Sequence, residues 1–137
     1  MNKEVIVTIS GLHSTDGENL VTRVCGEYFR RNDIHYCVYQ EQDEDSGRTT
    51  KCTIKIKGRS MEMLRQGQLR THMVFEEGRK HITDYQTPYG QMLLGVETGS
   101  VRVFETDNCI RAVVEYTLEA DGAYLSDSKI EVTIRNT

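Results

Sequence analysis

Polar and apolar residues alternate with a period of two along most of this chain, and the pattern predicts one strand after another. In "TTKCTIKIKG" Thr50, Cys52, Ile54 and Ile56 alternate with Lys51, Thr53, Lys55 and Lys57. In "CIRAVVEYTLEA" the series Ile110, Ala112, Val114, Tyr116 and Leu118 opposes Arg111, Val113, Glu115, Thr117 and Glu119. In "SKIEVTIRNT" Ile130, Val132 and Ile134 oppose Lys129, Glu131, Thr133 and Arg135. Successive strand side chains point to opposite faces, so each segment offers one face to an apolar core and one to water. Turn signals such as "STDGEN", "RRND", "DEDSG", "KGRS", "EEGR", "TPYG", "ETGS" and "EADGA" fall between the strands. Their Gly, Asn, Asp and Ser supply the positive φ angles and side-chain bonds that tight turns need. The predicted strands run over roughly 4–12, 19–29, 34–42, 48–57, 60–66, 69–77, 79–86, 90–97, 100–106, 109–120 and 124–135, ten if the short pieces near residue 60 are merged.

In "NLVTRVCGEYF" Leu20, Val21, Val24, Cys25, Tyr28 and Phe29 also fit a helical stripe. The central Gly26, two valines, a threonine and two aromatics favour a strand. Short connections favour antiparallel pairing of neighbours in a meander. An open sheet of that many strands would expose two edges that invite aggregation, and closing it into a barrel removes them. The sequence lacks Trp and any Greek-key or paired-cysteine signature of an immunoglobulin sandwich. The expected fold is all-β: a single closed or nearly closed antiparallel meander barrel of about eight to ten strands, wide enough for side chains and one small ligand. It spans residues 1–137 as one domain.

The 137 residues are 37% hydrophobic and 28% charged, with a net charge of −4. That balance points away from nucleic acid and from an anionic membrane, which both demand clustered positive charge. The apolar stretch Val5 to Ile9 is shorter than a secretory signal core, and no segment approaches a membrane span. The expectation is a soluble, cytoplasmic protein. Cys25, Cys37, Cys52 and Cys109 lie far apart, without zinc or redox spacing, and read as reduced thiols. His13, His35, His72 and His81 are equally scattered, so neither a metal nor a cofactor is implied.

Residues 61–90 depart from plain alternation. Arg65 shares a face with Met61 and Met63, so it points inward if they do, or lies at the strand end and reaches water. A buried arginine needs an acceptor, because stranding its charge is costly. In "HITDYQTPYG" His81, Thr83 and Tyr85 share one face. Pro88, the single proline, lacks an N–H, so Gln86 to Tyr89 should leave the ladder, and Gly90 permits a backbone closed to other residues. "TPYG" reads as a turn at one mouth of the barrel.

The order "RQG", "MVFEEGRKH", "YQTPYG", "VET", with "GEYF", "YCVYQE" and the closing "YTLE" and "SKIEVTI", resembles the YwiB-like family of bacterial proteins of unknown function. The likeness covers nearly the whole chain and is most specific from Arg65 to Gly90. It implies a small barrel like those of the lipocalins and fatty-acid-binding proteins, called calycin-like, and emphasises Arg65, Gly67, Phe75, Tyr85, Thr87 and Gly90. It implies no activity.

Turns explain Gly67 and Gly90, and packing explains Phe75. Arg65, Tyr85 and Thr87 are polar residues a plain barrel does not need, and with His81 and Tyr89 they are the candidate ligand-binding residues. Three readings follow. The first is a non-catalytic small-molecule-binding module in which Arg65 and Tyr85 hold a polar or anionic group. The second is a structural or interaction protein whose barrel is filled by Met61, Met63, Met73, Phe75, Tyr116 and Leu118. Its outer surface would then carry the function, as a homodimer for example, with one face of "GQMLLGV" exposed. The third is an enzyme, and it is the weakest. His81 and Tyr85 lie roughly 13 Å apart along one strand, and the chain has no nucleophile elbow, phosphate loop or metal-spaced cluster.

Overall fold

The computed structural model describes residues 3–13, 19–42, 47–67, 70–87 and 90–137. Ten strands run in chain order: β1 (Lys3–His13), β2 (Asn19–Arg31), β3 (Ile34–Gln42), β4 (Thr49–Lys57), β5 (Ser60–Gln66), β6 (Thr71–Glu76), β7 (Lys80–Thr87), β8 (Gly90–Glu105), β9 (Cys109–Ala120) and β10 (Ala123–Asn136). Among the described residues there is no helix, and so none long and apolar enough to cross a membrane. Consecutive strands pair antiparallel with one exception, and β1 pairs with β10 from Val5↔Asn136 to His13↔Ser128. The sheet therefore curls into a nearly closed barrel whose two edges are β6 and β7. The ambiguous segment at residues 19–29 lies within β2, paired with β1 and β3.

Turn chemistry fits the sequence. Arg31 pairs with Ile34 around Asn32 and Asp33, both at positive φ, and Ala120 pairs with Ala123 around Asp121 and Gly122, also both positive. Two left-handed residues in a two-residue loop match the twist of the flanking strands. Two expectations need correction. "ETGS" is not a turn: Gly90–Glu105 is one strand with a bulge between Thr98 and Ser100. The inward set Leu94, Val96, Thr98 changes parity to Val101 and Val103 there, which is what one inserted residue does. The ladder also does not break before Pro88. Gln86 pairs with Gln91 and Thr87 with Gly90, so only residues 88–89 fall between paired positions, and they lie outside the described residues. Gly90 has φ 131°, as its glycine suggested.

The core follows the alternation. Val5, Val7, Cys37, Ile54, Ile56, Met61, Phe75, Val96, Val114 and Val132 are fully buried and fill one half of the barrel. On the outer wall a side chain on Gly95 would press on Glu119 and Lys80. Its absence lets the Lys80 ammonium cross β8 to the Glu119 carboxylate.

The bulge leaves one flaw. The Thr98 backbone bonds to Gly78 and Arg79, but its buried Oγ1 has no hydrogen-bond partner among the described residues. Thr98→Val should therefore raise the stability measured by urea unfolding, by about 1 kcal/mol; a loss would mean that the hydroxyl is satisfied. The thiols give a second expectation. All four cysteines are free, Cys37 and Cys52 being buried and Cys25 exposed, and burial pushes the Cys37 thiol up to about 12. A thiol reagent should modify Cys25 readily in the native protein and reach Cys37 and Cys52 only on unfolding, for a total of four.

Candidate functional site

Antiparallel order puts the ends of β3, β5 and β7 at one mouth of the barrel, together with the start of β6. The inward residues there change character. Glu41 follows Cys37 and Tyr39 on β3, and Arg65 follows Met61 and Met63 on β5. Together with Thr22, Thr71, Tyr85 and Tyr116 they line a cavity of about 330 Å³ whose floor is Ile9, Met63, Met73, Phe75 and Ile130. The Phe75 ring packs against Tyr116 at 4.9 Å between centroids and divides the cavity from the filled half.

Arg65 Nη2 donates to Glu41 Oε1 at 3.3 Å, and the two side chains are 48% and 29% exposed. The pair is partly in solvent and also faces the cavity. Beneath it, Tyr39 and Cys52 are buried cross-strand neighbours. Burial raises the Tyr39 hydroxyl, and Cys52 and Glu41 raise it further; burial and then Glu41 also raise the Cys52 thiol. Both shifts favour the protonated form, which is the less nucleophilic one for a thiol. Burial likewise raises Tyr116, against a hydrogen bond with Ser128. The mouth thus offers a guanidinium, a carboxylate and neutral phenols above an apolar floor. That arrangement suits binding.

The structure brings Arg65 and Tyr85 together on this cavity. His81 is elsewhere: its Nε2 lies 2.9 Å from Glu76 Oε1, where β6 and β7 meet. The Thr87 backbone pairs with Gly90, while its side chain and Tyr89 lie outside the described residues. Sequence reasoning missed Glu41, hidden by the acidic run that follows it, although parity with Cys37 and Tyr39 marks it as inward. It also took Tyr116 as filler. Among the described residues no group of three or more His, Cys, Asp or Glu side chains could hold a metal ion.

The opposite end carries a second polar cluster that scattered histidines did not announce. His35, 6% exposed, takes Tyr28 Oη at Nδ1, 2.7 Å away, and faces Glu105 Oε2 at 3.4 Å through Nε2. Arg30 also reaches Glu105, so the β2–β3 hairpin is tied to the end of β8.

The family described as "Domain of unknown function (DUF1934)" matches residues 6–132. No curated protein matches the chain. The crystal structure of the ywiB protein from Bacillus subtilis is similar in fold, with a TM-score of 0.83 at 18% identity, over 99% of this chain and 93% of that one.

Tyr28→Phe would strand the buried His35 Nδ1. It should cost about 1–3 kcal/mol in chemical denaturation; an unchanged midpoint would show that His35 does not depend on Tyr28.

Proposed function

We propose, for a chain that belongs to the DUF1934 family, the role of a non-catalytic small-molecule-binding module. It is a calycin-like barrel working in the bacterial cytoplasm, and its ligand enters the open end. The observation that carries this reading is the cavity of about 330 Å³, at the lower end of the size range of ligand sites, which typically combine an apolar lining with a few placed polar groups. The ligand is a small amphiphile. Its apolar part rests on Met63, Met73, Phe75 and Ile130, and its polar or anionic end meets Arg65 and Tyr85. One Arg65 donor is taken by Glu41, and the guanidinium has five, so the remainder can serve a carboxylate or phosphate.

A second reading, an interaction protein such as a homodimer, rests on the outer wall. Ile82 and Leu93, 66% and 48% exposed, are diagonal neighbours on β7 and β8. Such a patch does not explain the polar mouth, and the binding reading does.

The test uses protein purified from a native host, with mass spectrometry of small molecules released on denaturation. Arg65→Met and Tyr85→Phe should leave the melting temperature within a few degrees, because an exposed ion pair is worth only about 0–1 kcal/mol. Both should lose the co-purifying molecule. Retention of the same molecule by both variants, or wild-type protein that carries none, would overturn the reading.

A further inference from the structure

The one break in the barrel is between strands joined by a tight turn. Among the described residues β6 pairs only with β5, and β7 only with β8. At the turn the seam is held by the Glu76–His81 contact and by a bond from Arg79 N–H to Glu76 C=O. Away from the turn the edges part, and a cleft of about 600 Å³ lies between them. Leu64, Arg65, Arg70, Thr71 and His72 line one side, and Thr83 and Asp84 the other. Every second residue of an edge strand turns an unpaired N–H and C=O outward. What fits two such edges is another backbone.

We infer that this seam is a docking site for an extended peptide that adds as a strand to the β6 edge and carries an acidic side chain toward Arg70. The backbone groups of β6 supply the main-chain pairing that such recognition uses, and alternate side chains supply selectivity. The basic side of the cleft, next to β6, is what orients an acidic side chain. On the β6 side His72 already pairs with Glu62 and Arg65 with Glu41, whereas Arg70 has no partner among the described residues, and neither does Asp84 across the cleft on β7. The edge is open at the start of β6, where Thr71 and His72 line the cleft, and is held at its Glu76 end, so a strand would enter the pairing from the Arg70 side. Arg65 and Thr71 line both the cleft and the inner cavity, whereas Arg70 lines the cleft alone, so a substitution at Arg70 tests this site apart from a ligand in the cavity.

The probe is a panel of synthetic octapeptides of alternating valine and threonine, with zero, one or two glutamates at alternate positions. Binding is read by fluorescence anisotropy, and hydrogen exchange locates the protected amides. Saturable binding with protection of the β6 amides is expected, strongest for the glutamate-bearing members. N-methylation of alternate peptide bonds should weaken it about tenfold, by removing several hydrogen bonds. Arg70→Ala should weaken the glutamate peptides about twofold to fivefold and leave the uncharged ones unchanged, as an exposed charge pair would. The inference is overturned if no member binds at millimolar concentration, if N-methylation has no effect, or if protection maps to the outer wall or the inner cavity. It is also overturned if the β6 amides gain protection with protein concentration alone, which would make a second copy the occupant.

Discussion

A sheet of ten strands has two edges of unpaired backbone groups, and how they are disposed of governs the rest of this structure. The long β1–β10 ladder joins the two ends of the chain and leaves only β6 and β7 facing each other. The turn between them shows why they stay apart. Glu77 N–H bonds to Arg59 C=O, Gly78 N–H bonds to Thr98 C=O, and the Glu77 carboxylate accepts from Val101 N–H. The turn is drawn toward β5 on one side and β8 on the other, so the two strands leave it already diverging. Closure costs the barrel one incomplete seam, near the mouth where its polar residues gather.

Side-chain size then divides the interior. Toward one end Ile54, Ile56, Met61, Phe75 and the surrounding valines are fully buried. Toward the other, Gly11, Thr22 and Thr71 are too small to meet across the barrel, and the Phe75–Tyr116 contact marks the boundary. The filled half supplies the apolar burial that stabilises the fold. The open half can therefore carry a guanidinium and a carboxylate without the desolvation cost of a buried pair.

Strand identity, inward and outward parity and turn positions were legible because each is a local property of the chain. The alternation placed Met61, Met63 and Arg65 on one face, and the Asn, Asp and Gly of "RRND" and "EADGA" located two hairpin loops. The bulge at Gly99 was misread as a turn because both use glycine at a change of parity, and only the β9 partner shows that the ladder continues. The seam was not legible, since it depends on where the Glu77–Arg79 turn finds its acceptors, and those lie on other strands. For the site, parity reached Arg65 and Tyr85 but could not supply partners. Glu41 is 24 residues from Arg65, and the Tyr28–His35–Glu105 cluster joins strands whose proximity exists only after the sheet has curled.

The Arg65–Glu41 pair also sets what a ligand in the mouth must offer. A simple anion gains from Arg65 but meets the Glu41 carboxylate next to it, within 3.3 Å of the same guanidinium. A group that both accepts and donates, such as a carboxylic amide or a hydroxylated acid, satisfies Arg65 and Glu41 together and leaves neither charge unpaired. The protonated phenols of Tyr39 and Tyr116 do not add to the negative potential, because burial keeps their protons in place. Selectivity at such a mouth comes from the penalty for leaving either member of the pair unmatched more than from attraction to one charge. On the proposed reading, that penalty favours a bifunctional polar head over a bare carboxylate.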